Sequence, residues 1–208
     1  MANVERHEFF PTCLYRFKHS FQDNELNQMV KHIEDNSLVE KNKQIVKITG
    51  SQPQNELHKI DTFANLTKTI TDVTKTILEE QEYMGEIEIT NMWGNILRPQ
   101  SQRAHAPHSH SNNFLSGVFY LKTSSDTSPI QFFDPRPQSS VFKPRKSGFN
   151  KLNSDMAEFQ SETGWGVVFP SWLVHWVPET KDERISIAWN VIVRGEYGEP
   201  NTLQNAHI

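Results

Sequence analysis

Hydrophobic residues recur with two different periods along this chain, and the change from one to the other divides it. Between residues 23 and 36, Leu26, Met29, Val30 and Ile33 fall at i, i+3, i+4 and i+7, which makes one face of a helix apolar, with Asp23 placed to cap it. Residues 65–82 repeat the pattern with Leu66, Ile70, Val73, Ile77 and Leu78, behind Asn65 as a second candidate cap. The polar stretch 41–54 holds Gly50 and Pro53 and leaves room for a short strand over 44–49. From Gly85 onward the period falls to two, and strands are predicted over 86–97, 115–122, 129–134, 165–170, 174–178 and 184–193. In the last of these, Ile185, Ile187, Trp189, Val191 and Val193 share one face while Arg184, Ser186, Ala188 and Asn190 share the other. The apolar face needs cover, and the two helical stripes can supply it, so the polar face is left to look into the concave side of a sheet.

The pattern therefore predicts a mainly β protein with N-terminal helices: a jelly roll of two sheets backed by helices. One domain is expected over 1–208, its helix-rich part (1–84) packing on the sheet and 85–208 forming the jelly-roll core. The segment 134–163, with three prolines and five basic residues, is long for a connection and is a candidate lid, although a solvated basic loop is the plainer reading.

Composition adds limits. A hydrophobic fraction of 36%, with thirteen Phe and five Trp, is enough for a core. A net charge of −4 and a pI near 6.1 give no general pull toward nucleic acid or an anionic membrane, so neither is expected as a partner. Cys13 is the only cysteine, which excludes an internal disulfide and makes the reducing cytoplasm the expected location. Charged residues break up the N-terminal ten where a secretory signal would be apolar, and no run approaches ~18 apolar residues. A homodimer is compatible with all of this.

The candidate chemistry starts at His108-Ser109-His110. In a strand or at its end, side chains at i and i+2 leave on the same side, so both imidazoles can reach one cation. His175 offers a third from a distant strand. Three imidazoles suit iron, zinc, copper or nickel and fix no reaction by themselves. Arg184 follows His175 on the adjoining strand. An arginine aimed into an apolar pocket normally holds an anion in a bidentate contact, and Ser186, two residues on, can donate to the same anion. Arg-x-Ser alone is a common tripeptide, and Arg184 could equally pair with Asp182, Glu183 or Asp134. Behind a ligand histidine, however, it favours 2-oxoglutarate as cosubstrate. His105 and Asp134 are further donors near the set, with His110 preferred to both. His7, His19, His32, His58 and His207 carry no functional reading.

These residues, together with 9–12, 91–95, 108–121, 132–136, 169–175 and 184–190, resemble the Fe(II)/2-oxoglutarate-dependent oxygenases over nearly the whole chain. The likeness is nearest to a bacterial and phage branch with prolyl-hydroxylase-like features. It implies a double-stranded β-helix with His108 and His175 as iron ligands and Arg184 on the distal carboxylate of 2-oxoglutarate. Ser186 would assist, Tyr120 would donate its hydroxyl to the same carboxylate, and Asn95 is a weaker candidate for that pocket. The chain departs from the usual pattern at His110, where most relatives carry Asp or Glu, so the metal set becomes His108, His110 and His175. The resemblance implies Fe(II), 2-oxoglutarate and O2, release of succinate and CO2, and hydroxylation of a small-molecule or peptide substrate. The alternatives are a three-histidine, cupin-like metal enzyme that does not use 2-oxoglutarate, and a non-catalytic jelly-roll binding protein.

Overall fold

The computed structural model describes residues 4–39, 46–48, 55–99, 105–137 and 141–208. Two antiparallel sheets face each other across an interior, and two helices close the back of the larger one. In chain order the elements are β1 (Tyr15–Lys18), α1 (Asp23–Asp35), β2 (Ser37–Val39), β3 (Val46–Ile48), α2 (Ala64–Glu80), β4 (Glu86–Leu97), β5 (His105–His108), β6 (Leu115–Lys122), β7 (Ile130–Phe133), β8 (Met156–Phe159), β9 (Trp165–Pro170), β10 (His175–Val177), β11 (Arg184–Arg194), β12 (Glu196–Tyr197) and β13 (Ala206–His207). The larger sheet runs β1-β9-β6-β11-β4 and the smaller β5-β10-β7-β8. A mainly β fold backed by helices, with the two sheets of a jelly roll, is what the periodicity predicted.

The hydrophobic pattern explains the layering. Met29 and Ile33 of α1 and Leu66, Ile70 and Ile77 of α2 are buried against Phe119 of β6 and Ile185, Ile187, Trp189 and Val191 of β11. Between the sheets, Val118, Tyr120, Ile130, Phe132, Val167, Phe169, Leu173 and Val177 form a second core. β6 is buried along all but its last residue because its two faces serve these two cores. Helix α2 is rich in threonine, a poor helix former, and Thr69, Thr71, Thr74 and Thr76 turn their hydroxyls back onto carbonyls four residues earlier. Packing of its apolar stripe, rather than propensity, holds it.

Several local expectations are corrected. Gln22, not Asp23, is the N-cap of α1: it is the last extended residue, and its N–H donates to Glu25 Oε2 at 2.9 Å, leaving Asp23 in the first turn. Asn65 is likewise inside α2, because two 3-10 turns, Leu57–Lys59 and Asp61–Phe63, feed the chain in already coiled, and its Nδ2 donates to Glu25 Oε1 at 3.0 Å. The strand expected over 44–49 is β3 where it is described; the rest of 41–54 up to residue 54 lies outside the described residues. Within the expected loop 134–163, β8 pairs with β7, so the candidate lid shortens at that end. The helix-rich N-terminal part also contributes β1 to the larger sheet, at the edge beside β9.

Candidate metal and anion site

Strand register places the polar residues of β11 in rungs across three strands. Ser186 lies opposite Asn95 of β4 and Tyr120 of β6, and Asn190 lies opposite Asn91 of β4 and Ser116 of β6. Between these rungs Ala188 faces Trp93 and Val118, and its small side chain leaves space. The space is a cavity of about 410 Å³ between the sheets, lined by His105, His108, His110, His175, Arg184 and Ser186 among others, Asn95 included.

The three histidines of the predicted set converge there. His108 ends β5 directly opposite His175, the first residue of β10. His110 lies just beyond the strand, anchored by its backbone N–H to the Ser171 carbonyl at 2.8 Å. Ring centroids are 4.4 Å apart for His108 and His175 and 5.1 Å for each of the other two pairs. One nitrogen from each ring lies within 4.8 Å of the others, and among the described residues no other group of histidine, cysteine or carboxylate side chains comes together in this way. Each Nδ1 faces an oxygen: His108 the Ala106 carbonyl at 2.7 Å, His175 the Leu173 carbonyl at 2.9 Å, and His110 the side-chain oxygen of Asn190. A proton on Nδ1 satisfies every one of these contacts and leaves the Nε2 lone pair for a metal. Burial pushes His175 down to about 4 and also lowers His110, so both rings are neutral, the form that ligates. The donor set fits a divalent transition metal such as Fe(II). The apolar run around His175 divides: Phe169, Leu173 and Val177 are buried, but Trp172 and Val174 face solvent.

Arg184 is 2% exposed. The carboxylates proposed as its structural partners are engaged elsewhere. Glu183 pairs with Arg98 at 2.6 Å and Lys122 at 2.8 Å, Asp134 holds Arg136 at 2.7 Å, and Asp182 accepts from the Glu183 backbone N–H. Arg184 Nη1 donates to Ser186 Oγ at 3.0 Å and its guanidinium sits 4.8 Å from the centroid of the Tyr120 ring, yet Arg184 Nε and Tyr120 Oη have no hydrogen-bond partner. Burial pushes the Tyr120 phenol up against the opposing pull of Arg184, which keeps it a donor. Two unpaired donors and a buried cation in one corner fit a carboxylate. His105 shares that corner. Burial, then the neighbouring Arg184 charge, hold it down to about 4, so it too is neutral. Asp134, salt-bridged to Arg136, is not part of the histidine cluster.

Sequence reasoning passed over the polar group behind His110. Asn190 Oδ1 accepts from Ser116 Oγ at 2.7 Å, its Nδ2 donates to Asn91 Oδ1 at 2.6 Å, and Ser116 Oγ meets Ser171 Oγ at 2.8 Å. The signal was present in the alternation that put Asn190 on the same face as Arg184.

Residues 91–190, a stretch that holds every residue assigned above to the cavity, match the family model described as "Putative 2OG-Fe(II) oxygenase". No curated protein matches the sequence. Among solved structures, the fold is similar to that of a prolyl-4-hydroxylase from Pseudomonas putida, with 14% identity and a TM-score of 0.57 over 88% of this chain and 89% of that one. It is also similar to the non-heme alpha ketoglutarate dependent epimerase SnoN from nogalamycin biosynthesis (10%, TM-score 0.61, 92% and 83%) and to EctD from S. alaskensis (15%, TM-score 0.60, 88% and 73%). At these identities the structures establish a shared fold, the double-stranded β-helix.

Proposed function

We propose that this chain, a 2OG-Fe(II) oxygenase by family and fold, hydroxylates a small-molecule or peptide substrate. In this reading Nε2 of His108, His110 and His175 hold Fe(II), and Arg184 holds the distal carboxylate of 2-oxoglutarate, assisted by Ser186, Tyr120 and, more weakly, Asn95. One observation carries it: a single cavity contains three imidazoles whose Nε2 atoms are free and a buried guanidinium that no carboxylate of the described chain neutralises. Bound together, Fe(II), 2-oxoglutarate and O2 supply oxidation of a C–H bond with release of succinate and CO2.

The chain's own residues orient and exclude. The Nδ1 contacts aim each ring, Ser186 turns the guanidinium, and the Tyr120 hydroxyl donates to the same carboxylate. Phe132 and Phe169, with ring centroids 6.0 and 4.6 Å from that of His175, keep water from one side of the site.

Adding Fe(II) and 2-oxoglutarate without oxygen should give a visible charge-transfer band that Arg184→Ala abolishes. A metal enzyme that does not use 2-oxoglutarate would bind Fe(II) with no such band. A band without succinate formation in air, across candidate substrates, would leave a non-catalytic binding protein.

A further inference from the structure

The three histidines are not held alike. His108 and His175 each point Nδ1 at the carbonyl two residues earlier in their own segment, Ala106 and Leu173, so the backbone itself sets their tautomer. His110 has no backbone acceptor among its contacts. Its Nδ1 meets Asn190 Oδ1, and Ser116 Oγ at 3.0 Å. Two lone pairs facing each other across a hydrogen-bonding contact would repel, so a proton lies between ring and amide. Ser116 spends its own proton on Asn190 Oδ1 and accepts from Ser171. The ring must therefore be the donor to the amide.

We infer that Asn190 is the positioning residue that makes His110 a metal ligand: its amide oxygen keeps the proton on Nδ1 and thereby frees Nε2. The inference rests on the three-histidine reading of the metal site. The amide orientation agrees with both neighbours: Oδ1 accepts from Ser116 Oγ, and turning this amide alone would set an oxygen against Asn91 Oδ1, which now accepts from Nδ2 at 2.6 Å. Asn91, Asn190 and Ser116 form one rung across three strands, and the register shift just past Asn190 sends Thr90 Oγ1 onto the Asn190 carbonyl at 3.3 Å, pinning the backbone as well. Asn190 is 6% exposed and Ser116 and Ser171 are fully buried, so water does not compete for these bonds. A neutral amide also does this without adding charge, unlike the carboxylate that often backs a ligand histidine.

Long-range 1H–15N NMR of the metal-free protein, at a pH where the ring is neutral, reads the tautomer directly. Wild type should show His110 protonated on Nδ1, and Asn190→Leu should move the proton to Nε2. Zn(II) affinity, measured by competition with a chelating dye, should fall about 10- to 100-fold in Asn190→Leu, the range for loss of a group orienting a ligand, and hold in Asn190→Asp, which keeps the acceptor. A wild-type His110 carrying its proton on Nε2 overturns the inference, as does an Asn190→Leu protein with unchanged tautomer and Zn(II) affinity. Should the leucine variant fail to fold, the wild-type tautomer and the aspartate variant decide alone. Absence of the Fe(II)–2-oxoglutarate band alongside an Nδ1-protonated His110 would sink the oxygenase reading and leave this one standing.

Discussion

Replacing Arg184 by methionine separates an anion-binding arginine from a structural one, because the two roles predict opposite effects on stability. Burying an unpaired ion costs several kcal/mol. Against this, the Tyr120 face returns about 0.5–2 kcal/mol and the Ser186 hydroxyl about 1.5–3 kcal/mol. These contributions nearly cancel, and with Arg184 2% exposed and lacking a carboxylate partner, Arg184→Met should leave the ligand-free protein within about 1 kcal/mol of wild type, or more stable. Cosubstrate binding should suffer. Truncating one partner of a buried charge pair costs about 2–5 kcal/mol, which is roughly 30- to 4,000-fold in affinity. Urea unfolding of both metal-free proteins, alongside calorimetric titration of their Zn(II)-loaded forms with 2-oxoglutarate, measures the two quantities. A variant that loses more than about 2 kcal/mol of stability while keeping wild-type affinity would show that the guanidinium serves the fold, and the argument would fail.

Two further outcomes follow from packing and from burial. A Cβ on Gly117 would lie 2.2 Å from Trp189 Cζ2, and Trp189 is fully buried, so Gly117→Ala should cost about 1–3 kcal/mol and lower the melting temperature by several degrees; an unchanged melting curve would show that Trp189 can move aside. His105 and His175 are both held near 4, below the ordinary 6.5, so the unfolded chain binds protons that the folded one refuses. The metal-free protein should keep its full stability above about pH 6.5 and lose it as pH falls toward 4, by on the order of 3 kcal/mol per site at the lower end. Urea midpoints at pH 7.5 and 5 test this, with a shallower fall expected in His105→Gln, and equal midpoints for wild type would contradict it.

What the sequence revealed was whatever depended on local period. The alternation along 184–193 sent Arg184, Ser186 and Ala188 to the cavity, Asn190 against the His110 ring, and Ile185 and Ile187 to the helices, and both helical stripes pack where their spacing puts them. What it hid depended on partners far along the chain. β5 contains Ala106-Pro107, which reads as a loop, and is a strand only because His108 pairs with His175. β8 is a largely exposed edge with no clear apolar alternation, and β1 is four residues long. The same limit applies to the site. That Arg184 has no carboxylate of its own follows from Arg98 and Lys122 occupying Glu183, and the part assigned to Asn190 follows from strand register with Asn91 and Ser116.

The charges in the cavity point to the kind of anion it takes. Among the described residues no aspartate or glutamate lines it, the imidazoles are neutral ligands, and the groups behind them are two backbone carbonyls and an amide. A ferrous ion on the three rings would therefore keep its full charge of two, with the Arg184 guanidinium adding a third at the other end of the same space. A monoanion could relieve only one of these poles, whereas a dicarboxylic acid relieves both, so the absence of the negative charge that a carboxylate in place of His110 would have supplied strengthens the demand for a dianion rather than weakening it. By linkage, the cation and the dianion must then favour each other's binding to the same degree. His110 in place of a carboxylate is on this account a shift of charge from protein to cosubstrate, and it is compatible with the 2-oxoglutarate reading because the chain keeps every other buried group beside the metal neutral.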